Sequence, residues 1–354
     1  MNINKLKKFL EDKDYAALIV SEENRKYFTS FPSSDGFLIV TAEKAVFLTD
    51  SRYIEAAENQ CVDCDQVLIF KSLKESLVPV VESLGIKKLA VESGRLTLSN
   101  LAALSAAIPV DFETDNSLEN AINEIRSVKS REEIDLVIKA QRIAEKAFDH
   151  IIKFIKVGMT EKEISLELDY FMLRNGADAL SFETIAVSGE KSSMPHGVPG
   201  LRKIQNGDFI TMDYGAVVEG YHSDMTRTIA VGSVTQEQRN VYQTVLNAQT
   251  AAFAAMKPGV LCSQVDKVGR DVIQQAGYGE YFGHGLGHGV GVEIHEEPRV
   301  SPFGTKELKS GFLITNEPGI YLPGKFGVRI EDMAYITDDG YENLTKCPKE
   351  LIII

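Results

Sequence analysis

The sequence lacks any run of about 18 apolar residues, the length that a membrane-spanning helix needs. It has 4 cysteines in 354 residues, which are too few for a disulfide framework and favour a reducing cytoplasm. The N-terminal segment 1–15 alternates charged and apolar side chains and predicts an amphipathic helix, without the continuous apolar stretch of a secretion signal. We therefore expect a cytoplasmic protein that has no membrane partner.

Positive charge is also scarce, because 38 Lys and Arg stand against 51 Asp and Glu and give a formal net charge of −13. Such a chain repels nucleic acid and anionic membranes, so neither is expected as a partner. The acidity is typical of a solvated surface. The alternative is that some of the carboxylates are gathered to hold cations.

The first third of the chain predicts an α/β domain. Short apolar runs of strand length occur at 16–20, 36–41, 45–48, 66–70 and 88–91, and helical segments at 51–60, 73–84 and 99–107. A polar, charged stretch at 123–129 predicts a boundary. We place one domain at 1–122 and a larger α+β domain at 123–354, in keeping with a chain length that allows about two domains.

Four helix starts are predicted in the second domain. A Ser or Thr followed three residues later by an acid or amide is typical of a capped helix N-terminus. The four pairs are Ser130 with Glu133, Thr160 with Glu163, Thr235 with Gln238, and Ser263 with Asp266. Strands punctuated by glycine are expected between and after these helices.

An acid-bearing strand pattern occurs twice in the second domain. In the first copy the run FITM precedes Asp213, and a later strand bears Asp224. In the second copy the run FLITN precedes Glu317, and a later strand bears Glu331. Facing strands of a hairpin bring such acids onto one face. The repeat predicts pseudo-twofold symmetry with four carboxylates converging at the axis.

Carboxylates beside apolar strands are costly unless they are paired or bind a metal. Two divalent cations would offset four such acids, and histidine commonly joins carboxylates as a ligand. A glycine-rich segment of the same domain offers His284, His288 and His295. The spacing alone leaves open which of them is the ligand.

Several short motifs carry a family resemblance. They are Pro195-His196-Gly197, Met212-Asp213-Tyr-Gly, His222-Ser-Asp224-Met-Thr-Arg-Thr, Gly287-His288-Gly-Val-Gly, His295-Glu296, Asn316-Glu317-Pro-Gly and Arg329-Ile-Glu331-Asp332. In this order they resemble the pita-bread metallopeptidase family that includes the Xaa-Pro peptidases and methionine aminopeptidase. The first domain resembles the creatinase-type N-terminal domain, including Thr49-Asp50-Ser51-Arg52-Tyr53. The implied architecture is an α/β N-terminal domain followed by an α+β pita-bread domain with pseudo-twofold symmetry.

The resemblance implies a centre with two divalent metal ions. The implied ligands are Asp213, Asp224, His288, Glu317 and Glu331. Asp224 and Glu331 would bridge the two ions. His288 is favoured over His284 because the family pattern has a second histidine seven residues after the ligand, where His295 stands. Carboxylate-rich ligation favours Mn²⁺, with Co²⁺ and Zn²⁺ as alternatives.

The implied reaction is hydrolysis of an Xaa-Pro bond by a hydroxide that bridges the metals. Glu317 is expected to shuttle the proton, and His196 and His295 are expected to hydrogen-bond the substrate. Candidates for substrate binding or for support of the site are Arg299, Tyr321 and Arg329. A structural salt bridge is the alternative role for each of these three.

Three functions remain open at this point. An Xaa-Pro dipeptidase is favoured over an Xaa-Pro aminopeptidase because the N-terminal domain is modest in length. A non-enzymatic peptide-binding module on the same fold is the third alternative, and the intact ligand set argues against it. The family resemblance implies a homodimer. Cys61 and Cys64 form a C-x-x-C match without a second pair, which is weak evidence for a redox or zinc role.

Overall fold

The structure is a computed structural model that describes residues 2–61 and 63–354. Its α-helices are α1 (Asn2–Leu10), α2 (Glu22–Thr29), α3 (Ile54–Gln60), α4 (Val78–Ser83), α5 (Leu98–Ala107), α6 (Ser117–Ser127), α7 (Arg131–Phe154), α8 (Glu161–Arg174), α9 (Gln236–Ala255) and α10 (Cys262–Gln275). A π-helical turn at Leu73–Leu77 and 3-10 turns at Gly189–Ser193 and Gly279–Tyr281 supplement them. Within the described ranges, no helix is both long and apolar enough to cross a membrane.

The strands fall into two groups along the chain. The first group is β1 (Ala16–Ile19), β2 (Phe37–Val40), β3 (Ala45–Thr49), β4 (Gln66–Ile69), β5 (Lys88–Val91) and β6 (Asp111–Glu113). The second group is β7 (Ala179–Leu180), β8 (Ile185–Ser188), β9 (Phe209–Tyr214), β10 (Ala216–Val218), β11 (Tyr221–His222), β12 (Met225–Ala230), β13 (Gly287–Gly289), β14 (Glu296–Val300), β15 (Leu313–Asn316), β16 (Gly319–Leu322), β17 (Phe326–Arg329), β18 (Asp332–Ile336) and β19 (Tyr341–Asn343).

The chain divides into two compact units, Met1–Arg126 and Ser127–Ile354. The boundary proposed from the sequence, between residues 122 and 123, lies inside α6. Leu118, Ala121 and Ile122 are buried on one face of this helix. The polar stretch that was expected as a boundary therefore continues this helix as far as Ser127, and three of its polar residues, Arg126, Ser127 and Lys129, are buried.

The first unit is built on a six-stranded mixed sheet in the order β4-β3-β2-β1-β5-β6. Strands β1 to β3 pair antiparallel, and β4, β5 and β6 add in parallel. The five strands expected from short apolar runs all form. Strands β1, β2, β3 and β5 are mostly buried, as such runs are in a covered sheet, whereas β4 at the edge of the sheet is partly exposed. Strand β6 was not predicted, since it has only three residues and two of them, Asp111 and Glu113, are charged.

The second unit repeats one arrangement, which confirms the expected pseudo-twofold fold. Each copy has two helices followed by an antiparallel strand pair, namely α7 and α8 with β9 and β12, and α9 and α10 with β15 and β18. Each strand pair is interrupted by a small hairpin, β10 with β11 in the first copy and β16 with β17 in the second. The two copies have their own apolar cores, which pack beneath the paired strands.

Three of the four predicted helix starts form complete capping boxes, at Ser130, Thr160 and Thr235. The fourth prediction is wrong, because α10 begins at Cys262 and not after Ser263. Its Asp266 is buried and accepts hydrogen bonds from the Arg270 guanidinium and from the Leu286 backbone N–H. A tertiary contact therefore uses the carboxylate that the sequence pattern assigned to the cap.

Gly215 brings the two acids of the first copy together. It links β9 to β10, and the chain returns past it at Ser223 before β12 begins. A Cβ atom at Gly215 would lie 1.9 Å from the Ser223 carbonyl oxygen. Because Gly215 has no side chain, the two backbone segments can come close together, and this places Asp224 beside Asp213.

We expect Gly215→Ala to lower the free energy of unfolding by about 1–3 kcal/mol, because the added methyl forces neighbouring backbone to move. The matched control is Gly340→Ala, where a Cβ would meet no described heavy atom within 4 Å. It should change the free energy of unfolding by less than about 0.5 kcal/mol. Urea denaturation measures both values, and equal stability of the two variants would contradict the tight packing at Gly215.

Candidate metal centre

The five expected metal ligands lie at or next to the ends of paired strands in the second unit. Asp213 is in β9, Asp224 precedes β12, His288 is in β13, Glu317 follows β15 and Glu331 precedes β18. All five line one cavity of about 560 Å³. The antiparallel pairing of β9 with β12 and of β15 with β18 brings each acid pair to the same end of its strands.

The ligand atoms are close to one another. One atom each from Asp224, His288 and Glu331 lies within 4.8 Å of the other two. The His288 Nε2 atom is 3.6 Å from Asp224 Oδ2 and 3.4 Å from Glu317 Oε1. This grouping of one imidazole with carboxylates is a donor set that divalent transition metals accept.

The His288 ring is held in the state that a ligand requires. Its Nδ1 lies 3.0 Å from the Gly289 carbonyl oxygen, which can only accept, so Nδ1 carries the hydrogen and Nε2 keeps a lone pair. Burial lowers the pKa of His288 to about 3, and the ring is therefore neutral at pH 7. The Thr315 hydroxyl accepts the His288 backbone N–H at 3.1 Å and donates to Glu317 Oε1 at 3.2 Å, which ties the two ligands together.

Asp213 has one satisfied and one unsatisfied oxygen. Its Oδ2 accepts a 2.6 Å hydrogen bond from Arg329 Nη2. Its Oδ1 is buried and has no hydrogen-bond partner among the described residues. A buried carboxylate oxygen without a donor is costly, and a cation at that atom would remove the cost. The residues present therefore fit a metal ion.

The electrostatics of the other acids support the same conclusion. Burial, followed by the charges of neighbouring carboxylates, raises the pKa of Asp224 and of Glu331 well above the usual range. Burial also raises the pKa of Glu317 to about 8. These largely buried carboxylates repel one another, and divalent cations close by would stabilise their ionised forms.

Arg329 holds two of the acids in place at the wall of the cavity. It is 3% exposed, and its Nε donates to the Thr226 hydroxyl at 3.0 Å. That hydroxyl donates in turn to Glu331 Oε2 at 2.6 Å. Arg329 Nη1 donates to the Tyr321 hydroxyl at 2.9 Å. Through these bonds one guanidinium orients Asp213 directly and Glu331 through a threonine.

The remaining candidates occupy different positions. His196, His295, Arg299 and Arg329 line the cavity together with the five expected ligands. The His295 ring lies edge-on to the His288 ring, with centroids 4.4 Å apart. Arg299 is opposite His288 in the β13–β14 pairing, and directly opposed residues project on the same face of a sheet. Tyr321 is 7% exposed, lies outside the described lining and hydrogen-bonds His284 Nε2 at 2.9 Å.

Two threonines that orient the ligands were not predicted from the sequence. Thr226 lies two residues after Asp224, and Thr315 two residues before Glu317. This spacing places each threonine on the same side of the chain as its acid, a signal that was available from strand alternation. The apolar wall of the cavity, which includes Phe182, Ile185 and Val198, was also missed, since no periodic pattern marks it.

Comparison with known proteins agrees with this geometry. Residues 135–338 match the model of Metallopeptidase family M24, and residues 2–128 match that of the Creatinase/Prolidase N-terminal domain. The Xaa-Pro dipeptidase of Pyrococcus horikoshii is 37% identical over 99% of this chain and 98% of that protein. The structure of an Xaa-Pro dipeptidase from Bacillus anthracis is 40% identical and superposes with a TM-score of 0.95, covering 100% of this chain and 99% of that one. The structure of an X-Pro aminopeptidase from Thermotoga maritima is 34% identical and superposes with a TM-score of 0.89. The match covers 96% of this chain and 97% of that one.

The pita-bread fold and the carboxylate-rich centre together define a metal-dependent peptidase. The chain belongs to metallopeptidase family M24 and carries the creatinase/prolidase type of N-terminal domain. The family and the fold class expected from the short motifs are thereby confirmed.

Metal-free protein is expected to lose stability as the pH rises from about 5 to 8. The pKa of Glu317 is about 8 in the folded chain and ordinarily about 4.3 in an unfolded one. Between these values the folded state binds more protons than the unfolded state, so the free energy of unfolding falls with rising pH. Calorimetry of the EDTA-treated protein measures this as a falling Tm.

The matched control for this prediction is Glu317→Gln, which keeps the size of the side chain and removes its titration. The variant should show a shallower decline of Tm over the same interval. Saturating Mn²⁺ should abolish the decline in the wild type, because metal ions bind the ionised form. A metal-free wild-type Tm that stays level or rises from pH 5 to 8 would refute the prediction.

Proposed function

We propose that the protein is a dinuclear metallopeptidase that hydrolyses the bond between a residue Xaa and proline in a dipeptide. The observation that carries the proposal is the buried set of four carboxylates and one neutral imidazole at a single cavity, with a carboxylate oxygen of Asp213 left without a donor. The substrate class is supported by full-length similarity to proteins named Xaa-Pro dipeptidase.

We assign the metal centre to the five expected ligands. Asp224 and Glu331, the most deeply buried of the four acids, are proposed to be shared by two ions. Ligation by four carboxylates and one imidazole favours Mn²⁺, with Co²⁺ and Zn²⁺ as alternatives. When bound, such ions lower the pKa of a coordinated water and polarise the scissile carbonyl. The oxygen of Asp213 that lacks a donor supports its place among the ligands.

Glu317 is proposed to move the proton. Its side chain is 17% exposed, so it reaches the cavity, and the Thr315 hydroxyl orients its Oε1 atom. A carboxylate that lines the cavity can accept a proton from a water molecule and release it again. The prolyl nitrogen of the peptide carries no hydrogen and must gain one as the bond breaks. Glu317 would take the proton of the attacking water and deliver it to that nitrogen.

His196, His295 and Arg299 are proposed to hold the substrate. All three line the cavity. Burial, followed by the positive charge of Arg299, lowers the pKa of His295, which keeps its ring neutral and able to hydrogen-bond a carbonyl oxygen. The forked guanidinium of Arg299 suits a carboxylate. In a dipeptide that carboxylate follows proline directly, so Arg299 would favour dipeptides over longer chains.

An Xaa-Pro aminopeptidase is the second candidate. The observation that favours it is the 34% identity and TM-score of 0.89 to the X-Pro aminopeptidase of Thermotoga maritima. Both activities would use the same centre and differ in what lies beyond the proline. The larger number of similar proteins named dipeptidase supports the first candidate.

We also propose a homodimer in the cytoplasm. The family resemblance supports the dimer. The cysteines Cys61, Cys64, Cys262 and Cys347 are free thiols, which supports a reducing compartment. Light scattering should give about twice the chain mass of 39.1 kDa for the dimer, and a mass of one chain would contradict it.

Comparison of Ala-Pro with Ala-Pro-Ala separates the two candidate activities. Because Arg299 is proposed to bind the carboxylate next to proline, the Mn²⁺-loaded enzyme should cleave Ala-Pro with a kcat/KM at least about tenfold higher, the effect of a single lost charged contact. Chromatography of the released alanine measures both rates. Faster cleavage of Ala-Pro-Ala would favour the aminopeptidase, and cleavage of neither peptide would refute both.

Substitution of the proposed shared ligands tests the centre. Asp224→Asn and Glu331→Gln should each lower kcat for Ala-Pro by at least about 100-fold and reduce the bound metal, because even residues that only orient a ligand contribute 10–100-fold. The matched control is Glu342→Gln on the exposed face of β19, which should keep both values. Elemental analysis counts the metal ions, and full occupancy in Asp224→Asn would contradict the assignment.

A further inference from the structure

A buried ion pair lies outside the proposed catalytic and ligand residues. Lys129 Nζ donates to Glu296 Oε2 at 2.9 Å, and the two side chains are 2% and 4% exposed. Lys129 precedes α7, and Glu296 is the first residue of β14. Lys129 also falls in the interval between the two family-model matches, 2–128 and 135–338. The pair therefore requires an explanation of its own.

Glu296 anchors both ends of the loop that carries His295. Its Oε1 accepts the Glu293 backbone N–H at 3.1 Å. In the β13–β14 pairing it lies opposite Gly289, directly after a register shift. Gly291 packs so closely on the carboxylate that a Cβ atom would lie 2.5 Å from Oε2. The buried Glu296 carboxylate thus helps to fix the course of residues 289–296, together with the His222 N–H, which donates to the Gly291 carbonyl oxygen at 2.9 Å.

The loop sets the position of the His295 ring relative to the ligand His288. His295 is the last residue of the bend before β14, and its side chain lines the cavity, whereas the next residue, Glu296, is buried outside the lining. The rings of His295 and His288 meet edge-on at 4.4 Å with an interplanar angle of 70°. Loss of the bonds that the Glu296 carboxylate makes to Lys129 and to the Glu293 N–H would release the backbone of this loop, and with it the adjacent His295.

Stability alone does not account for the pair. Burial of two charges costs solvation energy, and an apolar pair of similar size is often as stable or more stable. An apolar pair would, however, lack the directional bonds that the carboxylate makes to Lys129 Nζ and to the Glu293 N–H. We propose that Lys129 and Glu296 are positioning residues that hold His295 against His288 for peptide-bond hydrolysis. This inference rests on the function proposed above.

A double-mutant cycle tests the inference with the Mn²⁺-loaded enzyme and Ala-Pro. If Lys129 acts through His295, Lys129→Met should lower kcat by about 10–100-fold with little change in KM, the usual effect of an orienting residue. The same substitution made in His295→Ala should lower kcat by less than about threefold, because the positioned ring is already absent. Equal losses in the two backgrounds would overturn the inference.

A second variant separates positioning from stability. Lys129→Met with Glu296→Leu replaces the ion pair by apolar side chains and should regain the Tm that the single substitution loses. The kcat of this doubly substituted enzyme should remain low. If Lys129→Met alone does not fold, the double substitution takes its place in the double-mutant cycle. Recovery of kcat together with Tm would overturn the inference. Ile151→Ala, on the buried face of α7, controls for lost stability and should keep kcat.

Amide hydrogen exchange tests the inference without relying on enzyme activity. Because the pair helps to fix residues 289–296, the metal-loaded Lys129→Met protein should exchange these amides at least about tenfold faster than the wild type, as local opening becomes easier. Unchanged exchange would overturn the inference. Failure of the wild type to cleave Ala-Pro would instead overturn the proposed function, so the two failures are distinguishable.

Discussion

Repulsion among the buried carboxylates at one cavity is the constraint on which the second unit depends. The pKa of Asp224 and of Glu331 is raised well above the usual range by burial and by neighbouring acids. The guanidinium of Arg329 pairs with one oxygen of Asp213, whose other oxygen lacks a donor among the described residues. Arg329 thus supplies part of the positive charge that balances the acids, and bound cations would supply the rest. The folded protein therefore gains stability when metal binds.

The pseudo-twofold repeat holds these acids in place because its two halves are joined beside them. Arg227 of β12 is 1% exposed and donates to the Glu331 carbonyl oxygen and to Asp332 Oδ1, both at 2.7 Å. The Glu331 N–H donates to the Thr226 carbonyl oxygen at 3.1 Å. A strand from the first half therefore fixes the backbone of an acid from the second half. Asp213 and Glu331 each accept a side-chain hydrogen bond from a residue of the other half, Arg329 and Thr226, so this part of the site forms only when both halves are folded together.

Much of the site could be predicted because a carboxylate beside an apolar strand is an anomaly that the sequence displays directly. The choice between His284 and His288 could not be made that way. Each donates its Nδ1 hydrogen to the carbonyl oxygen of the glycine that follows it, Gly285 or Gly289. The residues on either side of the two histidines are almost identical. Their Nε2 atoms differ in surroundings, since that of His284 meets the Tyr321 hydroxyl and that of His288 meets Asp224 and Glu317. Partners distant in sequence decide which histidine is placed to bind metal.

The same distinction between local and distant partners explains which elements could be predicted. The capping boxes at Ser130, Thr160 and Thr235 form because both members of each box lie within one turn of helix. The expected box at Asp266 fails because Arg270 and the Leu286 N–H take the carboxylate. A local pattern is therefore reliable until a tertiary partner competes for one of its members. Such competition is strongest at a catalytic centre, because polar groups are buried there and each hydrogen-bond donor needs an acceptor. The role of a single residue at such a centre therefore follows from the fold and not from sequence spacing.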